Sequence, residues 1–135
     1  MPEASGILVD TSVWVDFFRV GHSPRALHLD ELLQTRAVLT CDPIRTEVCS
    51  GARTAHERSR LHELFQAVPL LTPPPDLWAR IEEARFTLAR RGHQTSLIDL
   101  MIAATAAHHR APLWTMDEDF EAIRHALEFQ RYHQS

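Results

Sequence analysis

Four carboxylates carry the chemistry open to this sequence: Asp10, Glu47, Asp99 and Asp117. Asp10 follows the branched run Ile7-Leu8-Val9 and precedes Thr11 and Ser12. Glu47 sits inside the amphipathic stretch after Ala37-Val38-Leu39-Thr40, and Asp117 follows Pro112-Leu113-Trp114-Thr115. Asp99 interrupts the apolar run Leu97 to Ala104. Each has an ordinary reading. Asp10 and Asp117 can be loop residues capping the next helix, Glu47 a solvated helix residue, and Asp99 the acid of a capping box opened by Ser96. Their order suggests more. In a parallel sheet the carboxyl ends of the strands and the starts of the following helices share one edge, where ligands sit. Asp10, Glu47 and Asp117 could converge there. Asp99 joins them if its helix begins at the same edge, which the sequence leaves open. Close carboxylates raise one another's pKa, and a buried one costs several kcal/mol unless paired. A divalent cation relieves both. Oxygen-only ligands favour Mg²⁺ or Mn²⁺ over zinc, and such clusters serve phosphodiester hydrolysis.

The elements that must position these acids alternate. Ile7 to Val9 reads as a strand buried on both faces, because it lacks polar alternation. Ser12 is the expected N-cap of a helix over about 13–19, with Trp14, Phe17 and Phe18 on one stripe. Ser23-Pro24 opens a helix through about Gln34. A strand at 37–40 precedes the cap pair Asp42-Pro43 and the helix bearing Glu47. A further helix at 55–66, a strand at 68–71, the break Pro73-Pro74-Pro75 and a helix at 76–90 follow. Ser96 to His109 has almost no polar face and should be buried. A strand at 112–115, a helix at about 118–127 and a short edge strand at 128–132 complete the chain. The expectation is one α/β domain over 1–135 with a mostly parallel sheet of four or five strands.

Composition narrows the class. The chain has 135 residues, 44% hydrophobic and 24% charged, with a formal charge of -4. That is an ordinary globular composition, and the net charge argues against coating nucleic acid by charge alone. No apolar run approaches the roughly 20 residues of a membrane helix. Met1-Pro2-Glu3-Ala4 lacks the basic and apolar regions of a signal peptide, so a cytoplasmic protein is expected. Cys41 and Cys49 read as reduced, packing thiols. The fourteen basic residues are all arginine, a side chain suited to bidentate phosphate contact.

Ile7-Leu8-Val9-Asp10-Thr11-Ser12-Val13-Trp14, Glu47, Ser96-Leu97-Ile98-Asp99-Leu100-Met101-Ile102-Ala103-Ala104 and Trp114-Thr115-Met116-Asp117-Glu118-Asp119-Phe120, in this order, resemble the PIN-domain ribonucleases. The likeness is greatest to the VapC toxins of type II toxin–antitoxin systems, and it spans nearly the whole chain. The resemblance implies a three-layer α/β/α fold and Mg²⁺- or Mn²⁺-dependent RNA cleavage. It implies Asp10 and Asp99 as principal metal ligands, with Glu47 and Asp117 as the remaining acids. Asp119 matches a further acid that sometimes assists, and Thr11 or Ser12 a hydroxyl near the metal. A homodimer, a VapB-type antitoxin and a structured RNA substrate such as tRNA are also implied.

Competing readings are weaker. A receiver-type phosphorelay domain needs a lysine, and there is none. An aspartyl-nucleophile phosphatase would want a second Asp two residues after the first, where Ser12 stands. His108-His109 are adjacent and His56 and His62 six apart, so neither pair spans one helical face for zinc. The serious rival is a catalytically silent module of the same fold that binds a protein through its apolar first helix. For RNA approach, Arg45, Arg53, Arg90 and Arg91 flank the helices carrying the acids; the alternative for each is a solvated helix face.

Overall fold

The computed structural model describes residues 5–134, so Met1 to Ala4 and the reading made of them lie outside the described residues. The order is β1 (Ile7–Val9), α1 (Thr11–Arg19), α2 (Pro24–Gln34), β2 (Val38–Leu39), α3 (Asp42–Ser50), α4 (Ala55–Gln66), α5 (Leu77–Arg90), α6 (Leu97–His109), β3 (Leu113–Trp114) and α7 (Asp119–Ile123). The three strands are parallel in the order β2-β1-β3, with Ile7 opposite Val38 and Val9 opposite Trp114. Single parallel bridges, Thr40 to Leu70 and Leu113 to Arg131, extend the sheet at either edge. These bridges fall where the sequence reading places further strands. Pro69 and the Pro73 to Pro75 break leave little chain for a longer ladder at the Leu70 edge.

Right-handed crossovers from a central β1 put the helices of the leftward and rightward connections on opposite faces. The packing follows that division. α1 meets α2 and α3, and α3 meets α4; α5 and α6 pack on each other and on α7. α3 and α6, one from each set, also touch. The result is a three-layer α/β/α domain. Leu8, Val9 and Leu113 are wholly buried between the layers, each such side chain contributing about 1.5–3 kcal/mol. Trp14 is fully buried, 4.9 Å from the Phe65 ring, whereas Phe17 is half-buried and Phe18 is 49% exposed. The aromatic stripe of α1 is thus divided between core and surface. Both cysteines are free and buried. Burial pushes the Cys41 thiol up to about 12, so it remains protonated.

Two helix starts differ from expectation. Asp10, not Ser12, caps α1, because its carboxylate accepts the Ser12 N–H and the Ser12 hydroxyl turns back to the same acid. Cys41, in extended conformation, precedes α3, which takes Asp42 into its first turn. α7 ends at Ile123, earlier than Leu127, as the chain turns to lay Arg131 beside Leu113.

Gly6 sets where β1 begins. Its φ is 137°, and a Cβ there would stand 2.8 Å from the Ala37 carbonyl oxygen. That oxygen accepts the Ile7 N–H at 2.8 Å, so the β1–β2 register depends on this approach. Gly6→Ala should destabilise the fold by about 2 kcal/mol, from the strained φ and the backbone clash together. Urea denaturation at fixed pH measures it; an unchanged midpoint would show that the strand entry yields freely.

Candidate functional site

α6 leads into β3, so it runs against the strands and begins at their carboxyl edge. Asp10 follows β1, Thr115 to Asp117 follow β3, and α3 starts just after β2. The ambiguity over Asp99 is thereby removed. Ser96 caps α6 by accepting the Asp99 N–H at 3.2 Å, which places Asp99 in the first turn. Burial pushes the Asp99 carboxyl up to about 6, and Asp10, Asp117, Glu47 and Asp119 push it in the same direction. Five acids from four stretches of the chain therefore share one electrostatic field. Among the described residues, no three His, Cys, Asp or Glu side chains converge closely enough to enclose an ion.

Hydroxyl groups hold the acids in place. Asp10 is 5% exposed. Its Oδ2 accepts from Ser12 Oγ and Thr115 Oγ1, each at 2.8 Å, and from the Ser12 N–H at 3.4 Å. Among the described residues these bonds all fall on Oδ2, so Oδ1 keeps its lone pairs. Thr115 Oγ1 also accepts the Asp117 N–H at 3.0 Å, and Ser12 Oγ accepts the Met116 N–H at 3.0 Å. Asp117 Oδ1 accepts the Asp119 N–H at 2.9 Å. Thr11 Oγ1 donates to Glu47 Oε1 at 2.8 Å. The expected hydroxyls divide the work: Thr11 orients Glu47, and Ser12 orients Asp10. Thr115 is a site residue that the sequence reading passed over. Its signal was a hydroxyl at a strand end two residues before an acid.

The arginines separate. Arg53 lines a cavity of about 460 Å³ with Glu47, Arg19, Val15, Phe18 and Leu61. Arg45 lies on another side of α3, in a smaller cavity. Arg90 is held over the Phe86 ring at 5.4 Å, and Arg91 is the C-cap of α5. Arg19, absent from the sequence-based set, stands in the cavity beside Glu47; the Gly21 turn made it read as a helix end only.

Arg131 fastens the β3 end of the site from the far end of the chain. Its guanidinium grips Glu118 through two bonds, at 3.1 and 3.4 Å, and also donates to Glu121 and to the Thr115 carbonyl at 3.2 Å. Such forked, charge-assisted bonds are the strong kind. Arg131→Ala should cost about 1–3 kcal/mol of stability and loosen the turn carrying Thr115 and Asp117. Thermal melts check the first effect. Hydrogen exchange at the Met116 and Asp117 amides checks the second, and unchanged protection there would separate Arg131 from the site.

Residues 7–126 match the family model described as PIN domain. The chain is 34% identical over 128 residues to VapC ribonuclease Mb1587 of Mycobacterium bovis, covering 92% of this chain and 96% of that protein. To Ribonuclease VapC5 of Mycobacterium tuberculosis it is 34% identical over 125 residues, 89% of this chain and 88% of the other. Among solved structures, VapBC2 from Rickettsia felis, bound to a DNA fragment from its promoter, superposes with a TM-score of 0.73 over 94% of this chain and 98% of that one; at 16% identity this likeness shows the fold. VapBC-5 from Mycobacterium tuberculosis superposes at 0.61 with 25% identity, over 96% and 100%.

Proposed function

This chain belongs to the PIN-domain family, and we propose that it is a metal-dependent endoribonuclease, the toxin of a VapBC-type toxin–antitoxin system. One observation carries the reading: Asp10, Asp117, Glu47 and Asp119 all lie close enough to the half-buried Asp99 to raise its carboxyl further, beyond the larger rise that burial gives it. A site that penalises its own ionised acids favours a cation. The donors are all oxygens, which suits Mg²⁺ or Mn²⁺. In this reading Asp10 and Asp99 would be the principal ligands, with Glu47 and Asp117 supporting and Asp119 assisting, the side chains drawing closer around the ion than they stand without it. When bound, the ion offsets phosphate charge and activates water for attack on phosphorus.

The protein's own groups do the positioning. Ser12 and Thr115 keep Asp10 turned so that Oδ1 faces away from their bonds. Thr11 holds Glu47. Asp99, once deprotonated, completes the ligand set. Arg19 and Arg53 bring positive charge to the cavity beside Glu47, offsetting the carboxylates that RNA phosphate would meet there.

Control by a VapB-type antitoxin is part of the same reading. The relatives are named VapC ribonucleases, and the Rickettsia felis and Mycobacterium tuberculosis structures are of VapBC2 and VapBC-5. An antitoxin segment with an apolar face would find the exposed Phe18 and Val15 beside Glu47. A homodimer acting on a structured RNA such as tRNA in the cytoplasm, with residues 1–135 as one domain, completes the proposal; among the described residues no helix is long and apolar enough to cross a membrane.

The test is cleavage of total RNA and of tRNA by the purified protein with Mn²⁺, with Mg²⁺ and in EDTA. Cleavage only with metal supports the reading. Cleavage that persists in EDTA overturns the metal-dependent mechanism, and no cleavage under any condition leaves a silent binding module.

A further inference from the structure

A second cavity, of about 270 Å³, lies between α3 and α4, lined by Asp42, Arg45 and Thr46 from α3 and by Arg58 and His62 from α4. Arg45 and Glu47 are two residues apart, about 200° around the helix, so this cavity and the one beside Glu47 open on different sides of α3. We infer that the Arg45–Arg58 cavity is a phosphate-binding subsite that holds the RNA backbone away from the acid edge. The inference rests on the ribonuclease reading and extends it.

Arg25, Arg80, Arg124 and Arg131 are all tied to carboxylates. Arg45 and Arg58 have no ion pair among the described residues, yet they converge on one cavity from two helices. Both come close enough to Cys49 to pull its burial-raised thiol back down. Two like charges facing one hollow repel until an anion joins them. A phosphate oxygen pair accepts two guanidinium forks at once, with the Thr46 hydroxyl as a further donor. Asp42 in the lining opposes an anion, but two arginines outweigh one carboxylate.

The cavity is also placed to receive the substrate. α3 starts just after β2, at the edge where the acids stand, and its first residue, Asp42, also lines this cavity. The start of α3 therefore connects this cavity to the acid edge. A strand with one phosphate at the acids can pass over the first turn of α3 and place a later phosphate between Arg45 and Arg58.

The experiment uses Arg45→Gln and Arg58→Gln, singly and together, in the full chain. Arg36→Gln, just before β2 and so at the opposite edge of the sheet, removes the same charge as the control for each single change. Binding of a fluorescent mixed-sequence RNA oligonucleotide in EDTA is measured over a salt series, and cleavage in Mn²⁺ is followed separately. Each single change should weaken binding about three- to tenfold, and the double variant should flatten the salt slope by about 0.7, the value for one phosphate lost on a single strand. KM should rise with kcat held. Equal affinity and slope in wild type and double variant, with wild-type cleavage intact, overturns the subsite alone. An effect of Arg36→Gln as large as that of either single change reduces the result to net charge and also overturns it. Wild-type protein that neither binds nor cleaves RNA overturns the subsite and the ribonuclease reading together.

Discussion

Asp10→Asn should lower metal-dependent RNA cleavage about a thousandfold while the protein stays folded. Asn keeps an oxygen that can accept from Ser12 and Thr115, the two hydroxyls that hold the native carboxylate. The cap of α1 therefore survives in form, and stability should change by no more than about 1 kcal/mol. What disappears is the negative charge at the end of the central strand. If Asp10 is a principal ligand, as proposed, its loss removes several kcal/mol of transition-state stabilisation, and about 4 kcal/mol corresponds to the thousandfold loss. Single-turnover cleavage at saturating Mn²⁺, beside a thermal melt, measures both quantities. Cleavage within tenfold of wild type would show that Asp10 serves the helix cap and not the chemistry.

Asp99→Asn should do two opposite things: stabilise the metal-free protein at neutral pH and abolish its response to metal. The carboxyl of Asp99 is raised from its ordinary 3.8 to about 6, by burial first and by neighbouring carboxylates second. A raised acid contributes stability that is present below its unfolded pKa and lost as pH rises through the folded one. Metal-free wild type should therefore lose stability between about pH 4 and 7, and the variant should lose less. At 1.36 kcal/mol per pKa unit, discounted for a half-buried group, the gain at pH 7 is about 1 kcal/mol. That corresponds to a melting temperature higher by roughly 3–5 °C. With metal the sign reverses, because an ion needs the deprotonated acid. In wild type the thermal shift produced by Mn²⁺ should grow as pH passes 6, since a bound ion stabilises the native state by mass action. Below pH 6 cleavage should fall about tenfold per pH unit, as one proton competes with the ion. Melts of both proteins from pH 4.5 to 8, with EDTA or Mn²⁺, contain the whole prediction. A variant less stable than wild type at pH 7 would make Asp99 a structural acid. A variant still shifted by Mn²⁺ would remove it from the ligand set.

Much of this architecture was legible in local patterns. A branched run without polar alternation marked Ile7 to Val9 as a buried strand, and a short apolar stretch marked the strand at 112–115. Ser23-Pro24 and Ser96 announced α2 and α6 through capping chemistry that needs only a few neighbouring residues. The acids themselves were legible because carboxylates at strand ends recur in an order that loop capping alone does not require. By the same local logic, short strands were the hardest to read. The segments at 68–71 and 128–132 have strand composition, but each makes one bridge, because a ladder grows only as far as its neighbour offers paired groups.

The tertiary structure decided what depends on direction and distance. Ser12 looked like a cap and became an orienting hydroxyl, because Asp10 is close enough to take both roles of acceptor. Thr115 gained its importance from Asp10, 105 residues away. Asp99 joined the site because the crossover into β3 starts α6 at the edge where β1 ends, a consequence of chain path and not of residue type. Arg131 reaches the same turn from the last strand-like segment. Residue types determined which chemistry this protein has available; the parallel sheet, by gathering strand ends and helix starts on one edge, decided which of those residues share a field.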